Sequence, residues 1–142
     1  MNIASEPIGP QMKHARLAAS AAHRWFVCPG CPKEGGKTSQ AAAEGSVMHD
    51  ISAHFLLGEI DNYYGAIFRE DGYDIIVNQP MLDAVQFYVD VVNEDFQKGD
   101  ELWIEMPLHD ALMAIDMDLG GTADAARYRP STQHLRVFDA KF

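Results

Sequence analysis

The sequence predicts an α+β domain: helices packed on one face of a small, mainly antiparallel sheet. Three observations carry this. Apolar residues in the first two thirds of the chain recur at three- and four-residue steps. From Glu101 the period changes to two. The last strand-like runs are joined by a turn signal, "RPST", rather than by a helical stretch. Helices first and a strand meander afterwards is the order of an α+β fold, not of alternating βαβ units.

Length and composition set the outer bounds. The chain has 142 residues, about one domain's worth, and 47% of them are hydrophobic, enough for a real core. No apolar run approaches the roughly 20 residues of a membrane span. The N-terminus lacks the basic-then-apolar pattern of a signal peptide, so the expected location is cytoplasmic and no membrane partner is expected. The formal net charge of −10 argues against an unaided nucleic-acid binder, which would neutralise phosphates with basic residues. It does not argue against clustered carboxylates that hold a divalent cation, because the ion then meets the phosphate.

The elements follow in order. Residues 1–14, with Pro7 and Pro10, are expected to form a flexible arm. Ser20 reads as the cap of a short helix over 21–28 that carries Trp25 and Phe26 and is stopped by Pro29 and Gly30. Cys28 and Cys31 frame that stop. Two thiols fall short of the roughly four ligands of a structural zinc site, so the plainer account is a turn with a small buried thiol. "KEGGKTSQ" (33–40) is a polar, glycine-rich loop. Its Gly36-Lys37-Thr38 hints at a phosphate loop, but the upstream glycine is missing and no strand precedes it.

From Ser39 to Leu57 the pattern is helical, with Val47, Met48, Ile51, Phe55 and Leu56 as its apolar stripe and Gly58 as its end. Residues 59–77 are mixed, with "NYYG" and "EDG" as turn signals. A second helix starts at Asn78 as cap, with Pro80 in the first turn where its missing N–H does no harm. Leu82, Val85, Val89, Val92 and Phe96 form its predicted apolar stripe; Asp83, Asp90 and Glu94 are its wet side, and Gly99 closes it. Strands are predicted in "ELWIEMPL" (101–108), where Leu102, Ile104, Met106 and Leu108 alternate with Glu101, Trp103 and Glu105; in "LGGTADAARY" (119–128); and in "HLRVFDAK" (134–141).

The last two strands bring candidate chemistry together. Side chains alternate along a strand, so Asp139 and Lys141 share one face, continuing the row of Leu135 and Val137. If the two strands pair around "RPST", Asp124 falls beside Asp139. Two adjacent carboxylates repel, and a divalent cation between them removes the conflict. A surface ion pair between Asp139 and Lys141 is the plainer account of a D-x-K tripeptide taken alone. His49 follows Met48 of the apolar stripe, which puts it at the edge between core and solvent, and Gly45 one turn earlier leaves space beside the imidazole. Asp50 and His54 read as a solvated pair, and Asp116 and Asp118 as carboxylates of a Met-rich loop.

Taken together, "EGSVMH" on a helix, then "GTAD", a turn, and an apolar strand ending in "DAK" resemble the PD-(D/E)XK nuclease superfamily. The similarity is to its RecB-like branch, which includes lambda-type exonucleases and CRISPR-associated RecB-like nucleases. The opening "SAAHRWFVCPGC…AAAEGSVMH" looks closer still to a phage- and prophage-borne group of RecB-like proteins of unknown function. The resemblance spans residues 15–142 and implies a partial nuclease-like domain with a restriction-endonuclease-like core. It implies a chain truncated after the D-x-K motif, since the family core continues into a helix; such a piece need not cleave by itself.

Residue by residue, the resemblance implies catalytic roles for Asp124, Asp139 and Lys141. It implies Mg2+ or Mn2+ held by His49, Asp124, Asp139 and the Ala140 carbonyl, with Glu44 as an accessory acidic position. The implied activity is metal-dependent hydrolysis of DNA phosphodiester bonds, by an exodeoxyribonuclease of phage recombination or DNA processing. The implied partners are DNA, a phage recombination protein and further copies of the chain, as in the rings of lambda-type relatives. The alternative is a catalytically inactive nuclease fold kept as a binding or assembly module. A third option is a small zinc-binding domain on Cys28 and Cys31. The departures are Cys31, where the related group has serine, and the stop at Phe142.

Overall fold

The computed structural model describes residues 17–18, 39–108 and 119–142. The expected arm, the short helix over 21–28, Cys28, Cys31, Asp116 and Asp118 lie outside the described residues. In chain order the elements are β1 (Leu17–Ala18), α1 (Gln40–Leu56), β2 (Ile67–Glu70), β3 (Tyr73–Ile76), α2 (Gln79–Asn93), β4 (Glu101–Pro107), β5 (Leu119–Gly120), β6 (Thr122–Arg129) and β7 (His134–Phe138). The fold is α+β. Two compact units divide the chain: residues 1–34 with 107–121, and residues 35–106 with 122–142. In the first unit β1 and β5 pair in parallel, Leu17 opposite Leu119. All that follows belongs to the second.

Both helices begin where their caps predict. The Ser39 hydroxyl accepts the Ala42 N–H at 3.2 Å, and the Asn78 side chain accepts the Met81 N–H at 3.1 Å. Each satisfies one of the amide donors that a helix start leaves unpaired. Helix α1 ends through Leu57, whose N–H reaches the Ala53 carbonyl, with Gly58 at φ +82° beyond it. Its buried face is Ala43, Val47, Met48, Ile51 and Ser52, so the predicted stripe holds in its middle turns. Among the described residues, no helix is long and apolar enough to cross a membrane.

Helix α2 departs from its predicted stripe. It buries Met81, Val85, Tyr88, Val89 and Val92. Phe96 lies past the helix end at Asn93 and is exposed, because Asp95 turns to φ +59° and breaks the period. Residues 67–76, where mixed composition and turn signals predict no strand, form a hairpin. Its turn is Asp71-Gly72, both at positive φ, in the register Glu70 opposite Tyr73. With four residues a strand, the period-two signal is too short to stand out.

Two apolar clusters meet at α2. The first joins Ala43, Val47 and Ile51 of α1 to Ile75, Val77, Met81, Val85 and Val89. In the second, Tyr88 and Val92 pack with Ala125, Ala140, Phe138 and Phe142. Helix α2 is therefore apolar on two sides, one toward α1 and the hairpin, the other toward the sheet ordered β4-β6-β7. Strands β6 and β7 are antiparallel, Ala125 opposite Phe138 and Arg129 opposite His134.

Arginines of β6 pin the end of α2 to the sheet. Buried Arg127 donates to the Val92 carbonyl at 2.8 Å and the Glu94 carbonyl at 2.6 Å, between the rings of Phe96 and Phe138. It thereby satisfies carbonyls that the helix end leaves open and sits at the negative pole of the helix dipole. Arg129 reaches the Asp95 carbonyl and grips Asp100 with two bonds, at 2.9 and 2.8 Å.

Candidate metal centre

His49 stands where the stripe predicts, half-buried at the edge of α1, and a Cβ at Gly45 would meet nothing within 4 Å. Its Nδ1 lies 3.6 Å from Oδ2 of Asp124, the third residue of β6. The same Oδ2 accepts the Ala140 N–H at 2.6 Å. One carboxylate thus ties the helix histidine to the segment after β7. Phe142 meets the His49 ring edge-on, centroids 5.0 Å apart, and the Tyr88 ring at 6.1 Å.

The sequence-predicted residues divide here. His49, Asp124 and the Ala140 backbone come together, Ala140 through its N–H. Asp139 and Lys141 do not extend a strand face: β7 ends at Phe138, so alternation stops before them. They pair with each other, Nζ to Oδ2 at 2.6 Å, with side chains 57% exposed for Asp139 and 74% for Lys141. Leu135 and Val137, the row they would continue, are also exposed. Glu44 accepts a bond from Gln40 one turn back along α1, at 2.9 Å, and stands outside the cluster. Asp50 and His54 are both exposed, as expected of a solvated pair, and His54 also contacts the Tyr63 hydroxyl at 2.8 Å.

Glu105 is the group that sequence reasoning passed over. Among the described residues, His49, Glu105 and Asp124 are the histidine, cysteine and acidic side chains placed to share one ion, with donor atoms all within 4.8 Å of one another. Glu105 sits inside β4 at φ +51°, a left-handed conformation uncommon for a residue other than glycine. Such local strain persists where surrounding structure holds it, and it concentrates at functional sites. Partial desolvation, then the charge of Asp124, pushes the Glu105 carboxyl above its ordinary value; His49 partly offsets this and Asp50 adds to it. In the sequence nothing separates Glu105 from Glu101, its companion on the polar side of the alternation.

Tyr88 completes the surroundings. It is nine-tenths buried, and among the described residues its hydroxyl has no hydrogen-bond partner. Burial first, then the charges of Asp124, Glu105 and Asp139, pushes the phenol far above its ordinary value. One imidazole and two carboxylates match the preferences of Mn2+ and, through the oxygens, Mg2+. The fit is also electrostatic: the charge of Asp124 raises the cost of ionising Glu105, and a cation between them removes it.

A family model described as "Protein of unknown function (DUF2800)" matches residues 14–142. No solved structure matches the chain.

Proposed function

The chain belongs to the DUF2800 family, and for this member we propose divalent-cation-dependent hydrolysis of DNA phosphodiester bonds. The observation that carries the reading is the convergence of His49, Glu105 and Asp124 donor atoms to within 4.8 Å. The step to DNA rests on the resemblance of "GTAD" and "DAK" to the PD-(D/E)XK nucleases.

In this reading His49, Glu105 and Asp124 would hold Mg2+ or Mn2+. Bound there, the ion supplies Lewis acidity toward a phosphate oxygen and a water of lowered pKa. The chain's own residues shape what surrounds it. Asp124, by accepting the Ala140 N–H, keeps residues 139–141 beside the centre. Phe142 covers one edge of the His49 ring and limits its movement. Lys141, on a flexible stem and held only by an exposed partner, is free to exchange the Asp139 carboxylate for a phosphate oxygen.

One observation favours a second reading, a cation-binding module without catalysis: the Lys141 ammonium is engaged with Asp139 rather than with the His49 cluster. The test is calorimetric titration of the full chain with Mn2+, alongside Mn2+-dependent cleavage of linear DNA, each repeated on Asp124→Asn. Binding and cleavage that are both lost in Asp124→Asn support hydrolysis. Binding without cleavage supports the module, and a wild-type chain that takes no Mn2+ removes both.

A further inference from the structure

The Tyr88 hydroxyl is closed off from solvent and has no hydrogen-bond partner among the described residues. A buried hydroxyl left unpaired is disfavoured, and native structures keep few of them. Nothing from solution reaches this atom, so its partner has to be a side chain of the chain itself that turns toward it. The surroundings point to Asp124. Tyr88 packs in one cluster with Ala125, the neighbour of Asp124 in β6, and with Ala140, whose N–H donates to Asp124 Oδ2 at 2.6 Å. Phe142 meets the Tyr88 and His49 rings edge-on, at 6.1 and 5.0 Å, so both rings stand against one wall. Burial first, then the charges of Asp124, Glu105 and Asp139, keep the phenol protonated, which makes it a donor throughout the neutral range.

A carboxylate has two oxygens and about four acceptor sites, so Asp124 can hold the Ala140 N–H, a cation and one further donor at once. Resting on the cation site proposed above, we propose that Tyr88 is a positioning residue of that site: when Mg2+ or Mn2+ binds, the Asp124 carboxylate turns and accepts the Tyr88 hydroxyl, which fixes its orientation toward the ion. Asp124 is the partner rather than Glu105, because its side chain is only 15% exposed and its neighbours pack on Tyr88, whereas Glu105 is exposed. Ligating carboxylates are themselves held by outer hydrogen bonds, and these govern metal affinity. The cost of the unpaired hydroxyl is relieved in the loaded form alone, and that difference between the two forms favours loading.

The experiment compares the full chain with Tyr88→Phe, which removes the oxygen and keeps the ring. Each protein is melted in EDTA, titrated calorimetrically with Mn2+, and followed by near-ultraviolet difference absorption as Mn2+ is added. In EDTA the variant is expected to melt at or above the wild type, because an unpaired buried oxygen is gone. Its Mn2+ affinity is expected to fall about ten-fold or more. Mn2+ is expected to shift a tyrosine band of the wild type, as a phenol gains a carboxylate acceptor, and to leave the variant's spectrum unchanged. A role in packing alone would move neither the affinity nor the band. Equal Mn2+ affinity in the two proteins, or no band shift in the wild type, overturns the inference while the cation site still stands. A variant that melts well below the wild type in EDTA shows the hydroxyl to be partnered already and overturns it too. A wild type that takes no Mn2+ overturns the cation site and the inference with it.

Discussion

Glu105→Gln is the most informative single change, because it should move stability in opposite directions with and without metal. The substitution keeps the shape and the left-handed backbone of the residue and removes one charge. Glu105 and Asp124 have donor atoms within 4.8 Å. At that separation two like charges repel by about 0.9 kcal/mol in a water-like medium and about 3.5 kcal/mol at an effective dielectric near 20. Glu105 is exposed, so solvent screening sets the effect near the lower bound, about 1 kcal/mol. In EDTA at pH 8 the variant should therefore melt about 4 °C above the wild type.

Metal reverses the order. A ligand at 100 times its Kd stabilises the folded state by about 2.7 kcal/mol, and the wild type should gain most of this from Mn2+ while the variant, short of one carboxylate, gains little. The pH dependence has a definite sign. A carboxyl whose folded pKa is raised holds its proton longer in the native state, so the wild type loses stability as pH rises through that pKa. The advantage of Glu105→Gln in EDTA should therefore vanish below the ordinary glutamate value of 4.5. Paired thermal melts in EDTA and in Mn2+ decide the matter. Equal melting in EDTA together with equal Mn2+ shifts would refute the view that these carboxylates share a centre.

Further outcomes follow from the same contacts. Arg127→Met removes two charged bonds to the α2 carbonyls of Val92 and Glu94 and should lower stability by about 2–4 kcal/mol, read by urea unfolding; a loss under 1 kcal/mol would show that α2 does not depend on this clamp. Asp100 is held down to about 2, first by its hydrogen bond to Arg129, so its contribution is present above the ordinary aspartate value of 3.8 and is lost as pH falls toward 2. Acid unfolding followed by circular dichroism should lose that limb in Arg129→Gln. Lys141→Ala should change stability by less than about 0.5 kcal/mol and leave Mn2+ binding intact, since its ion pair is exposed. Under the hydrolytic reading the same change abolishes DNA cleavage.

What the sequence by itself determined is local. Ser39 and Asn78 start the helices because a cap needs only a side-chain oxygen and an amide three residues on. Gly58 and the "EDG" and "RPST" turns follow from backbone freedom over two to four residues. The middle of the α1 stripe was legible for the same reason, and with it the edge position of His49. The register of β6 against β7 followed from a short turn, and it brought Asp124 beside the segment after β7.

The tertiary structure decided the rest, because it depends on groups far apart in the chain. Tyr88 is buried only because α2 packs against the sheet as well as against α1, so one amphipathic stripe could not describe both sides. Asp139 and Lys141 leave the strand face because β7 stops at Phe138, three residues short of the strand end at 141 that their alternation implies. Glu105 enters the cluster through a left-handed turn of its own backbone inside a strand. No pattern of residue types records such a turn, since it is held by the packing around β4 rather than by the identity of the residue that adopts it.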